Sequence, residues 1–93
     1  MRIEWLPDAR RSFASQIDYI AGRNPRAAVQ IGDDIEAAVS RLMDHPEIAH
    51  PGRVTGTREL VVSGTPYIVV YRVEADAVVI LRVLHGAQHW PPT

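Results

Sequence analysis

The sequence has 93 residues, of which 46% are hydrophobic and 23% are charged. These values are typical of one small globular domain, and they do not fit a two-domain protein, a disordered chain or a collagen-like repeat. The absence of cysteine excludes disulfides, zinc sites with thiolate ligands and a cysteine nucleophile. We therefore expect a single domain over residues 1–93 that folds in a reducing compartment, the cytoplasm.

The charge of the chain is nearly balanced, but its basic residues are all of one kind. Ten arginines and no lysine stand against eleven carboxylates, which gives a formal net charge of −1. Because nonspecific binding to nucleic acid requires many cations that replace counterions on phosphates, we expect no strong direct nucleic-acid binding. No apolar run approaches the roughly 18 residues of a membrane span, so we also expect neither a span nor a signal peptide.

The first half of the sequence predicts a strand followed by two helices. Residues 2–6 alternate in polarity before Pro7, which suits the first turn of a helix. From residue 8 to about residue 22, apolar side chains recur every three or four positions, as they do in an amphipathic helix. Asn24 and Pro25 then resemble a helix cap and a first-turn proline, and the same spacing continues to Met43.

The second half predicts a loop and three strands. Residues 44–57 contain two prolines and two glycines without a sustained period, which indicates a loop. Segments 58–63, 65–73 and 77–84 are rich in β-branched residues and are separated by short turns, so we expect an antiparallel meander. The element order β-α-α-β-β-β predicts an α+β domain in which a helical hairpin packs on one face of a small, mainly antiparallel sheet.

Two arginines of the meander lie on one face of the sheet or on opposite faces, depending on the turn between their strands. A three-residue turn would pair Arg72 with Val78 and Ile68 with Arg82, and both arginines would then share a face. A two-residue turn would separate them. The sequence leaves both registers open.

Three segments of the second half resemble the RelE/ParE family of bacterial type II toxins. They are GTRELVV at 56–62, PYIVVYRV at 66–73 and RVLHGAQ at 82–88. Further matches occur in order along the chain, at Trp5, DYIA 18–21, Asn24-Pro25 and His45-Pro46. The resemblance implies a toxin that is made beside a neutralising antitoxin and that uses no cofactor or metal.

The family includes one branch that cleaves mRNA in the ribosome and a ParE-like branch that poisons DNA gyrase. When Tyr71 is aligned with the equivalent tyrosine, Ile68 stands where the nuclease branch has an arginine. Glu59 and Val61 replace a pair of lysines, and Gln88 replaces a further arginine. The C-terminal tyrosine of the nucleases has no counterpart. The resemblance therefore favours the gyrase branch, and we assign no catalytic residue.

Two alternatives remain open at this stage. The first is a ribosome-dependent mRNA interferase with a rearranged site made of Arg58, Arg82 and His85. The second is an inactive family member that only binds its antitoxin. Weak candidates for contact with the target are Arg58, Arg72 and an exposed Trp90.

The expected partner is a ParD-like antitoxin, bound in a toxin–antitoxin hetero-oligomer. Arginine-rich surfaces suit carboxylates, so we expect an acidic, amphipathic C-terminal segment of the antitoxin. We predict that it docks around Phe13, Ile17, Ile35 and Leu42. Complete burial of these residues would contradict that placement.

Neither the histidines nor the acidic residues of the sequence indicate a metal site. His85 and His89 have the spacing of half a zinc site, but two prolines follow and the tail has no carboxylate. His85 is therefore interpreted as a structural histidine. Asp33, Asp34 and Glu36 are interpreted as a solvated helix face.

Overall fold

The computed structural model describes residues 1–92, which form five strands and two helices. In chain order these are β1 (Arg2–Trp5), α1 (Pro7–Ala21), α2 (Pro25–Arg41), β2 (His50–Pro51), β3 (Arg58–Val61), β4 (Tyr67–Val73) and β5 (Ala77–His85). The two-residue strand β2 lies within the predicted loop. The other elements lie where the sequence predicted them.

The five strands form one mixed sheet in the order β1-β5-β4-β3-β2. The meander β3-β4-β5 is antiparallel, whereas β1 pairs in parallel with β5. Because β1 pairs only through β5, it lies at one edge of the sheet. The predicted α+β fold with a helical hairpin on a mainly antiparallel sheet is confirmed.

Both helices begin at a proline, as the sequence predicts. Pro7 and Pro25 each stand in the first turn, where the missing N–H leaves no hydrogen bond unmade. At α2, Asn24 Oδ1 accepts a hydrogen bond of 3.1 Å from Ala27 N and caps the helix. The described residues 1–92 contain no helix with the length and apolar character that crossing a membrane requires.

The core lies between the hairpin and the sheet. It includes two residues that the sequence predicted as antitoxin contacts. Ile35 of α2 and Leu42, which directly follows that helix, have 0% exposure and pack with sheet residues such as Val69 and Tyr71. These two of the four predicted antitoxin contacts are therefore inaccessible, because their face of α2 covers the sheet. The hydroxyl of Tyr71, a side chain that also has 0% exposure, accepts a hydrogen bond of 3.4 Å from Ala49 N, and burial raises the pKa of Tyr71.

The turn between β4 and β5 contains two residues. Glu74 N donates to Ala77 O over 2.8 Å, so residues 75 and 76 form the turn. Arg72 then pairs with Val79 instead of Val78. Of the two registers that the sequence left open, the structure has the one with the two-residue turn at this end of the hairpin.

A two-residue turn alone would place Arg72 and Arg82 on opposite faces, but a bulge in β5 returns them to one face. The register shifts so that Leu81 has no partner and Arg82 pairs with Val70, not with Ile68. Because Val70 and Arg72 lie two residues apart on β4, Arg72 and Arg82 share the sheet face that is directed away from the helices. The shared face arises from the bulge and not from a longer turn.

An ion pair between the buried Glu59 and the exposed Arg53 holds the segment between β2 and β3. The side chain of Glu59 is 6% exposed, and Arg53 Nη2 donates to its Oε1 over 2.8 Å. The backbone N–H of Arg53 also donates to Glu59 Oε2 at 2.8 Å. The hydrogen bonds from Arg53 lower the pKa of Glu59, more than burial raises it.

We expect acidification to weaken the fold through Glu59. Its pKa is lower in the folded chain than the 4.5 of a free side chain, so its stabilising effect is complete above 4.5. That effect is lost as the pH falls from 4.5 through the folded pKa. Urea unfolding between about pH 7 and about pH 3 should therefore show a shallower loss of stability in Glu59→Gln than in the wild type.

The control for this experiment is Glu47→Gln, because Glu47 is an exposed carboxylate outside any ion pair of the described residues. Its profile should follow that of the wild type. Equal slopes for Glu59→Gln and the wild type would contradict the role of the Arg53–Glu59 pair.

Candidate functional site

An open groove of about 720 Å³ lies between α1, α2 and the edge strand β1. We call it the hairpin groove. Apolar residues from all three elements line it, and the Trp5 and Phe13 rings stack with centroids 5.4 Å apart. These lining residues are Ile3, Trp5, Phe13, Ile17, Gly32 and Val39.

Small residues give the hairpin groove its depth. A Cβ added to Gly32 would lie 3.6 Å from Ile17 Cδ1, which is ordinary van der Waals contact. Ala14 and Ala28 also line the groove, and Val29 at its border is 67% exposed. The hairpin groove is thus an accessible apolar surface on the pair of helices.

Phe13 and Ile17 lie in this groove and are partly exposed. They differ in this respect from Ile35 and Leu42, which were predicted with them as antitoxin contacts. Their contact with an antitoxin stays a prediction. Trp5 and Gly32 belong to the same groove and were missed. Residues four apart lie on the same face of a helix, as do Phe13 and Ile17 on α1 and Ala28 and Gly32 on α2. These spacings could have indicated two helix faces that border a groove.

The border of the hairpin groove is predominantly acidic. Asp18 on α1 and Asp33 and Glu36 on α2 are exposed there. Arg10 is the one basic residue among the described residues that line the groove. The groove therefore combines apolar walls with a negative border.

Arg58 and Arg82, which the nuclease alternative requires together, point to opposite faces of the sheet. Arg58 pairs with the core residue Tyr71, and its Nη1 donates to Ala49 O over 2.7 Å. Arg82 pairs with Val70 on the other face, and its Nη2 forms an ion pair of 2.9 Å with Asp8 in the first turn of α1. Each guanidinium thus already has a polar partner within the chain.

His85 lies at the end of β5, three residues after Arg82 and away from Arg58. It pairs with Tyr67, four residues along β4 from the partner of Arg58, a separation of roughly 13 Å. Its ring contacts Tyr67 edge-on at 5.6 Å, and its Nδ1 accepts from Ala87 N over 3.1 Å. The structure therefore does not bring the three residues of the nuclease alternative together.

Two positions that carry cations in the nuclease branch have structural roles here. Glu59 aligns with a lysine of that branch, and its buried carboxylate forms the ion pair with Arg53. Gln88 replaces an arginine, and its Oε1 accepts from His85 N and from Gln16 Nε2, each at 2.8 Å. Gln88 thereby holds the C-terminal segment against β5 and α1.

The candidates for target contact do not form one surface. Arg72 lies on the outer sheet face and pairs with Glu74 at 2.8 Å, whereas Arg58 lies on the helix side. Trp90 is partly buried rather than freely exposed, and its ring lies 5.5 Å from the Arg82 guanidinium carbon. Within residues 1–92, Trp90 Nε1 is buried and has no hydrogen-bond partner. Their contact with a target stays a prediction.

The fold and the sequence both match toxins of type II toxin–antitoxin systems. The family described as ParE toxin of type II toxin-antitoxin system, parDE, matches residues 3–90. The protein Y4kP of Sinorhizobium fredii is 41% identical over 90 residues, which are 97% of this chain and 93% of that protein. Toxin RelE1 of Caulobacter vibrioides is 33% identical over 84 residues, with 86% and 87% coverage. The chain therefore belongs to the ParE toxin family, within the wider RelE/ParE group.

Solved structures support the same fold. A chain of the chromosomal ParDE system from P. aeruginosa superposes with a TM-score of 0.82 at 24% identity, covering 91% of this chain and 95% of that one. A chain of the toxin–antitoxin complex RelBE2 from Mycobacterium tuberculosis has a TM-score of 0.62 at 28% identity, with 90% and 95% coverage. With the family match, this identifies the protein as a toxin component of a type II system, and its relatives include proteins named for ParE and for RelE.

Proposed function

We propose that this toxin inhibits DNA gyrase by binding to it and does not cleave RNA. We further propose that a ParD-like antitoxin neutralises the toxin in a hetero-oligomer by inserting a segment into the hairpin groove. Gyrase acts on chromosomal DNA, so this function implies a cytoplasmic location.

The observation that carries the first proposal is the separation of Arg58, Arg82 and His85. Metal-free cleavage of RNA needs a proton acceptor, a proton donor and a cation that converge on one phosphate. Here the two arginines lie on opposite sheet faces, and His85 lies roughly 13 Å from the position of Arg58 along the strands. An inhibitor that acts by binding needs no such convergence.

The hairpin groove supports the second proposal. Its walls include a stacked Trp5–Phe13 pair and the half-buried Ile17, which remain accessible to a partner. Antitoxin segments that fold on binding can place their apolar side chains in grooves of this kind. A volume of about 720 Å³ accommodates several side chains.

The target is tested with two parallel assays on the purified toxin. We expect loss of supercoiling and accumulation of cleaved plasmid when the toxin is added to gyrase and relaxed DNA. We expect no cleavage of labelled mRNA on translating ribosomes. Cleavage of mRNA with unaffected supercoiling would overturn the gyrase proposal in favour of the interferase, and no effect in either assay would favour an inactive, antitoxin-binding family member.

The docking site is tested by filling the hairpin groove. Gly32→Leu should weaken binding of the antitoxin encoded beside the toxin gene by about tenfold or more, because the new side chain occupies the space beside Ile17. Ala37→Leu is the matched control, since Ala37 is exposed on the same helix outside the groove. Equal affinities of the two variants would contradict docking in the groove.

A further inference from the structure

We infer that the antitoxin segment in the hairpin groove is basic where it crosses the border formed by α1 and α2, with apolar residues directed to the groove walls. This inference rests on the proposed docking site. It replaces the expectation of an acidic segment, which was based on the arginine content of the whole chain.

The carboxylates at the hairpin groove are exposed and form no ion pair within residues 1–92. Asp33 and Glu36 lie three residues apart on α2, so they project on the same side of the helix. Asp18 lies on the facing helix α1. All three are exposed, and none forms an ion pair with any residue in the described range 1–92.

Nine of the ten arginines do not line the hairpin groove. Half of the ten arginines are already paired with carboxylates of this chain, and none of these five lines the hairpin groove. The paired residues are Arg2, Arg11, Arg53, Arg72 and Arg82. At the groove, three carboxylates face one guanidinium, that of Arg10, which leaves a local charge of −2.

Docking removes water from these carboxylates, and this cost favours a partner segment with positive charge. Exposed carboxylates are well solvated, but a segment that covers the groove removes part of that water, and each carboxylate then needs a donor. An acidic segment would add repulsion instead of supplying donors. Arginine or lysine side chains can lay their methylene groups on the apolar walls and extend their charged ends to Asp18, Asp33 and Glu36.

The test compares two charge-reversal variants of equal net charge. One carries Asp33→Lys and Glu36→Lys at the groove. The control carries Asp44→Lys and Glu47→Lys, at exposed residues that follow α2 outside the groove. Affinity for the full-length antitoxin encoded beside the toxin gene is measured at about 50 mM and about 500 mM NaCl, which changes the screening length severalfold. Circular dichroism checks that each variant is folded.

We expect the groove variant to bind at least about tenfold more weakly than the control at low salt, and we expect the difference to shrink at high salt. Stronger binding of the groove variant would overturn the inference and favour an acidic segment. Equal binding of the two variants would also overturn it. In either case, Gly32→Leu separates the two proposals: if that variant loses affinity, the groove is the docking site and only the sign of the partner is wrong, whereas retained affinity contradicts docking in the groove itself.

Discussion

Replacing Leu42 with alanine is expected to lower the free energy of unfolding by about 2–5 kcal/mol. Leu42 has 0% exposure and belongs to the core between α2 and the sheet, so the substitution leaves a cavity. Ile17→Ala is the matched comparison, because Ile17 is an aliphatic side chain in the partly exposed wall of the hairpin groove. It should lose about 1 kcal/mol, since part of its surface is already in water.

Urea denaturation measures both variants, and antitoxin affinity is measured on the same preparations. Leu42→Ala should lose stability while its folded fraction keeps its affinity, whereas Ile17→Ala should lose affinity with little loss of stability. A smaller destabilisation for Leu42→Ala than for Ile17→Ala would contradict the assignment of the core and the groove. The pair therefore separates damage to the fold from damage to the binding surface.

Replacing Gly52 with alanine is expected to destabilise the protein by about 1–3 kcal/mol. A Cβ at this position would overlap Thr57 Oγ1 and would lie 3.2 Å from Glu59 Oε2. Gly52 N also donates to Thr57 O over 2.7 Å, so the two segments cannot separate without breaking that bond. The methyl group therefore acts directly on the loop that holds the Arg53–Glu59 ion pair.

Thr57→Ala provides the second half of a double-mutant cycle. It removes Oγ1, so Gly52→Ala should be less destabilising in the Thr57→Ala background than in the wild type. Gly22→Ala is the control for replacing a glycine, because its Cβ would meet no atom closer than 3.6 Å. Additive effects of Gly52→Ala and Thr57→Ala would show that the overlap does not determine the loss of stability.

The division between core and groove also affects how toxin variants are interpreted. A loss of toxicity in Leu42→Ala would reflect unfolding, because this side chain is inaccessible to any partner of the folded chain. Substitutions of Arg72 or Arg82 change ion pairs within the chain, with Glu74 and Asp8, before they change any contact with a partner. Stability and binding must therefore be measured together for these positions.

The sequence by itself determined the order of the elements and the family. Helical spacing, prolines at two helix starts and β-branched segments are local signals, and local backbone preference is sufficient to interpret them. The missing nuclease residues, such as Ile68 in place of an arginine, were also visible because they depend on residue identity alone.

Only the tertiary structure decided which apolar helix residues are accessible. Phe13, Ile17, Ile35 and Leu42 all follow the helical period, but burial depends on which element packs against each face. The bulge at Leu81, which puts Arg72 and Arg82 on one face, is likewise set by pairing between strands. The same holds for charge: composition counts the arginines, whereas their pairing with distant carboxylates requires the folded chain and leaves the hairpin groove negative.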